Sequence, residues 1–111
     1  MSHISTHILD TSLGKPAAGV AIRLERQTEN GWALVQEEVT NADGRVASMA
    51  KDELPPGRYR LTAAIGQWFA HTERETLYPL AQLDVVLPRS GDHYHLPFLI
   101  APWGWSTYRG S

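Results

Sequence analysis

Three histidines, one arginine and a four-residue ending have the types and spacing for chemistry. His93 and His95 lie two apart on an expected strand, and side chains at i and i+2 share a face. His7 stands on the first expected strand, on the face opposite Ile4 and Ile8. The neighbours on these faces are Leu9, Pro97 and Leu99, so the histidines are expected to be partly desolvated, where their proton affinity is tunable around neutral pH. His-x-His with His7 as a third ligand also has the form of a zinc site. Arg45 closes an Asp-Gly-Arg turn, where taken alone a solvated cation is the more natural reading. The ending Tyr108-Arg109-Gly110-Ser111 completes an aromatic and apolar run from His93. It is expected to be packed to its last residue and to bring Tyr, Arg, Ser and a terminal carboxylate to a site.

The elements that must position these residues read as strand and turn. Period-two alternation marks Ile4 to Leu9, Val20 to Glu25, Arg58 to Ile65 and Leu83 to Leu87. Glu29-Asn30-Gly31 signals a hairpin, because Asn-Gly tolerates the positive φ of tight turns. The return strand, Trp32 to Thr40, changes apolar phase between Leu34 and Val35, which predicts an irregularity or burial on both faces. Turns are expected at Asp10–Pro16, Asn41–Arg45, Pro55–Gly57 and Arg89–Asp92. Gln67 to Arg74 is the one stretch suited to a short helix. A long strand from His93 to Ala101, a Pro102-Trp103-Gly104 turn and a final strand running to Ser111 follow. Seven or eight short strands spaced by turns indicate an all-β sandwich. The strand phases leave Leu9, Pro97, Leu99 and Tyr108 on an outer face, which predicts that a partner subunit or ligand covers it.

The totals narrow the classes. The 111 residues form one domain, 1–111. A net charge of −2 offers no basic footprint for nucleic acid. No basic block or long apolar run suggests a membrane, and no signal-peptide pattern opens the chain, so a cytoplasmic location is expected, though a processed periplasmic form would look the same. The absence of cysteine excludes disulfides, thiolate zinc ligands and thiol catalysis. His3 and His71 have no companions and are expected at the surface. Asp10, Asp43, Asp84 and Asp92 accompany turns or a wet strand face and read as structural.

Three segments together carry a family resemblance. They are Ser5-Thr6-His7-Ile8-Leu9-Asp10-Thr11 with Gly14-Lys15-Pro16-Ala17, then Asp43-Gly44-Arg45, then His93-Tyr94-His95-Leu96-Pro97 through Ser106-Thr107-Tyr108-Arg109-Gly110-Ser111. The chain resembles the transthyretin-like 5-hydroxyisourate hydrolases over its whole length, and the terminal Tyr-Arg-Gly-Ser separates these enzymes from the hormone carriers of the same fold. It departs at Trp103-Gly104-Trp105, where the family more often carries Tyr-Ser-Tyr. The resemblance implies a transthyretin-like sandwich of two four-stranded sheets with one short helix, assembled as a homotetramer (a dimer of dimers) around a channel lined by Leu9, Pro97 and Leu99. It implies hydrolysis of the small molecule 5-hydroxyisourate to 2-oxo-4-hydroxy-4-carboxy-5-ureidoimidazoline in urate breakdown, without cofactor or metal. The catalytic residues it implies are His7, Arg45, His95 and Ser111, with His7, Arg45, Tyr108, Arg109 and Gly110 contacting substrate or shaping the site. Ser111 would act through its hydroxyl or the terminal carboxylate, so the ending should not tolerate extension.

Overall fold

The computed structural model describes residues 2–89 and 91–111. Ser90, in the expected Arg89–Asp92 turn, lies outside the described residues. Among the described residues ten strands and one helix follow in order. They are β1 (His3–Asp10), β2 (Lys15–Pro16), β3 (Ala21–Thr28), β4 (Gly31–Val39), β5 (Arg45–Val46), β6 (Gly57–Ala63), α1 (Ile65–His71), β7 (Ala81–Leu87), β8 (His93–His95), β9 (Phe98–Ala101) and β10 (Gly104–Thr107). One sheet is β4-β3-β6-β7. The other runs β10-β9-β1-β2, with the short β5 and β8 also pairing with β1. The expected all-β sandwich of two four-stranded sheets is therefore present, its second sheet extended by two short strands along β1.

The core lies between the sheets, and strand phase fills it. Ile4 and Ile8 of β1, Ile22 and Leu24 of β3, Tyr59 and Leu61 of β6, and Phe98 and Ile100 of β9 are all buried. On the open face of the other sheet, Arg60 binds Glu25 at 3.0 Å and lies 4.3 Å over the Trp32 ring. The phase change in the return strand is a β-bulge. Leu24 pairs with Gln36 and Glu25 with Leu34, which leaves Val35 as the extra residue. At the hairpin, Gly31 takes the positive φ (124°), with Thr28 paired to Gly31 across Glu29-Asn30.

Three expected boundaries move, each for a local reason. The helix is Ile65–His71 rather than Gln67 to Arg74. Ile65 extends the apolar phase of β6 in sequence, but with Phe69 it forms an i, i+4 pair, and both are fully buried on the helix's inner face. The strand expected from His93 to Ala101 is broken into β8 and β9 at Leu96-Pro97, because proline has no N–H for the ladder. Both pieces pair in parallel with β1, and Leu96 N–H donates to Ser5 O (2.9 Å) between them. The final strand stops at Thr107, short of Ser111, for the same reason. Thr107 pairs with Phe98, the ladder lapses beside Pro97, and it resumes as a single bridge between Gly110 and His95.

Asp10 exceeds the turn role expected of it. Fully buried, it accepts hydrogen bonds from Ser12 and Leu13 N–H and from Trp68 Nε1, and pairs with Arg74 beyond α1. Burial alone would raise its pKa, but Arg74, Ser12, Trp68 and the Leu13 N–H together hold it well below the usual carboxylate range.

Candidate active site

The site gathers at the middle of β1. Arg45 on β5 is the direct antiparallel partner of His7, and His95 on β8 is the parallel partner of Ser5. Residues 5 and 7 share one face of β1, so these registers put Ser5, His7, Arg45 and His95 on the same side of the sheet. The turn before β5 fixes the arginine. Asn41 Oδ1 accepts from Asp43 and Arg45 N–H, and Gly44 turns the chain at φ 73° while its carbonyl accepts from Ile8 N–H (2.8 Å).

A cavity of 420 Å³ opens beside this face, lined among others by Ser5, Arg45, His93, His95 and Ser111. Arg45 is exposed there and makes no ion pair among the described residues, so its donor fork is available to a ligand. Burial, then the nearby charge of Arg45, holds the His7 pKa below its ordinary value, against a hydrogen bond to the Asp43 backbone. His95 is lowered in the same direction by burial, Arg45, His7 and His93. Imidazoles beside a guanidinium are groups that can accept a proton from water and stabilise an oxyanion.

The ending is tethered, rather than packed to its last residue as expected: Tyr108, Arg109 and Ser111 are exposed, because the ladder beyond Thr107 is reduced to a single bridge. Gly110 N–H donates to His95 O at 2.7 Å. Arg109 binds Asp92 (2.9 Å) and lies 4.4 Å over the Tyr94 ring, so its guanidinium anchors the segment to β8. Of the residues singled out in the sequence, Arg45, His95 and Ser111 line the cavity, while His7 stands beside it as the register partner of Arg45 and Gly110 as the bridge partner of His95. Tyr108 is exposed and, like Arg109, does not line the cavity. Pro97 is already buried within the single chain, while Leu9 and Leu99 are half-buried and adjacent across the β1–β9 register. His3 and His71 are exposed, as expected. Among the described residues no group of three or more His, Asp or Glu side chains is gathered to hold a metal ion.

One residue at the cavity, Ser5, escaped the sequence reading as a site member, and it joins His93, which the sequence offered only as half of a possible zinc site. Ser5 Oγ lies 2.8 Å from both His93 Nε2 and His95 Nδ1. The i, i+2 spacing of Ser5 with His7, and of His93 with His95, was the available signal. What it lacked was the parallel register that sets Ser5 beside both rings.

A sequence model of the HIUase/Transthyretin family matches residues 4–110. The 5-hydroxyisourate hydrolase of Caulobacter vibrioides is 40% identical over 115 residues, spanning 100% of each chain. The structure of Klebsiella pneumoniae 5-hydroxyisourate hydrolase superposes with a TM-score of 0.90 at 54% identity, covering 100% of this chain and 94% of that one. Sea bream transthyretin in complex with thyroxine has a TM-score of 0.90 at 24% identity over 96% of this chain and 93% of that one, a likeness of fold alone. By sequence over nearly its full length, the chain belongs to the HIUase/Transthyretin family.

Proposed function

We propose that the chain is a 5-hydroxyisourate hydrolase, opening the six-membered ring to 2-oxo-4-hydroxy-4-carboxy-5-ureidoimidazoline by attack of water on a ring amide carbonyl. The observation that carries this reading is that His7, His95 and Arg45 share one face of the sheet, beside a cavity that Arg45, His95 and Ser111 line. Hydrolysis needs a base for the water, a cation or donors for the developing oxyanion, and a proton for the leaving nitrogen. The two lowered imidazoles remain neutral, and so basic, at neutral pH. They act as a coupled pair, and each proton transfer contributes about 10²–10⁴-fold. Arg45 binds the polar ring and stabilises the oxyanion, while Tyr108 extends from the ending to bound substrate. Ser111 orients the water or a histidine, and Gly110 and Arg109 hold the ending in place. No metal takes part.

The test follows freshly generated 5-hydroxyisourate with and without the protein. We expect accelerated decay, unaffected by a chelator, and a loss of at least about 100-fold in turnover for His7→Asn or His95→Asn. Near-normal rates in both variants would overturn the assignment, and activity lost with a stoichiometric metal would overturn the metal-free mechanism. The working form is a homotetramer, a dimer of dimers, which covers the half-buried Leu9 and Leu99. Solution mass about four times the 12.4 kDa chain is expected, and a monomeric active species would refute it.

A further inference from the structure

We propose that Ser5 and His93 are positioning residues that hold His95 with its proton on Nδ1 and its Nε2 free, and that the three side chains together relay protons during turnover. The proposal deepens the hydrolase reading and rests on it for the reaction, though not for the arrangement of protons.

The Ser5 hydroxyl lies 2.8 Å from His95 Nδ1 and 2.8 Å from His93 Nε2. A hydroxyl has one proton to donate, so the two contacts fit together when one ring donates to Oγ and the other accepts from it. In one direction His95 Nδ1–H donates to Ser5, and Ser5 donates to His93 Nε2. This leaves a lone pair on His95 Nε2, which has no hydrogen-bond partner among the described residues. In the opposite direction Nε2 carries the proton, and His95 cannot accept one from water.

The surrounding charges favour the first direction as the path of an incoming proton. Arg45 on β5 and His7 on β1 face His95 and oppose positive charge there. At the other end Asp92 adjoins His93, whose backbone N–H donates to Asp92 Oδ1 at 3.1 Å. Arg109 shares that carboxylate, and His3, with Glu53 3.9 Å away, is the register partner of His93 on β1. Cationic and imidazole neighbours thus surround His95, while a carboxylate adjoins His93.

The steps balance. His95 Nε2 takes a proton from water as the oxygen bonds to the carbonyl carbon. The Nδ1 proton passes to Ser5 Oγ while the hydroxyl proton passes to His93 Nε2. His95 is then neutral with Nε2–H, and His93 is an imidazolium. Reversal returns the proton to Nδ1 as Nε2–H protonates the leaving ring nitrogen, and all three side chains recover their starting state. Ser5 is buried and His93 exposed, and both line the cavity together with His95.

Nitrogen-15 NMR of histidine-labelled protein above neutral pH reads the tautomer directly. We expect the Nδ1–H form of His95 in the unaltered chain and in Ser5→Thr, and a mixed or Nε2–H form in Ser5→Ala. In turnover, Ser5→Ala and His93→Ala should each lose about 10- to 100-fold in kcat with KM unchanged, and Ser5→Thr should restore the rate. An Nε2–H tautomer in the unaltered chain, or Ser5→Ala with the original tautomer and rate, would overturn the proposal. If Ser5→Ala does not fold, His93→Ala at its exposed position decides by the same two readouts. The expected tautomers in a chain that does not hydrolyse 5-hydroxyisourate would uphold the positioning and overturn the proposed function.

Discussion

A methyl group on Gly110 would stand 2.6 Å from His95 Cδ2 and 3.1 Å from its Cβ. Such a separation is untenable, so the His95 ring or the ending must move. Neither is far from the chemistry, because Gly110 is bridged to the His95 backbone and Ser111 lines the cavity. Gly110→Ala should therefore lower turnover by about tenfold or more, a geometric loss of catalysis. The exposed terminal segment carries little of the core, so unfolding free energy should stay within about 1 kcal/mol. Paired activity and denaturant measurements check this; normal turnover would show that the ring tolerates displacement. Histidine and arginine were legible as site residues because their chemistry shows in their type. Ser5 was not, because a strand serine is bland until a neighbouring strand supplies its partners.

The turn between β4 and β5 shows how an element sets the site. Gly44 has φ 73°, and a Cβ there would lie 2.6 Å from Ile8 O, a backbone atom that cannot swing aside. The same turn accepts the Ile8 N–H and so seats β5 against β1 with Arg45 opposite His7. Gly44→Ala combines backbone strain with a clash and should cost about 1–3 kcal/mol of stability. It should also lower activity through Arg45, and thermal unfolding with steady-state kinetics would separate the two losses. A stability unchanged within error would contradict this account. The Asp-Gly turn, the bulge at Val35 and most core phases could be read in the sequence because they follow local pattern. The end of β6 and the start of α1 could not. Ile65 satisfies period two with Ala63 and period 3.6 with Phe69, and only packing chooses between them. Pro97 was read as part of one long strand although proline cannot donate to a ladder, and the interrupted register it produces, with Gly110 again opposite His95, depends on β10 and β9 pairing far from local signals.

Across the whole molecule, the shifted groups make stability a dome in pH. His7 and His95 have lowered pKa values when folded, so below about pH 6.5 the unfolded chain binds protons that the folded chain resists. Stability therefore declines as pH falls from there through the lowered values. Asp10 is depressed, so its contribution is full above about pH 3.9 and lost as pH falls through its folded value. Glu25, lowered chiefly by its hydrogen bond from Arg60, acts in the same direction. At the alkaline end, burial raises Tyr59, so the unfolded chain loses that proton first and stability falls above about pH 10. Melting temperature should accordingly be highest between about pH 6.5 and 10 and fall in two steps on the acid side. His7→Asn with His95→Asn should flatten the first step and leave the second. Asp10→Asn should flatten the second and, by leaving Arg74 partly buried without its partner, cost about 3 kcal/mol near neutral pH. A single acid step, unmoved by either change, would place the acid sensitivity outside both the site and the Asp10–Arg74 tie. The two steps are separable because the site is carried on β1, β5 and β8, while the tie joins the far end of β1 to the segment after α1. On the proposed function, loss of the histidines should disarm the site and leave the frame standing, and loss of Asp10 should loosen the frame that the site stands on.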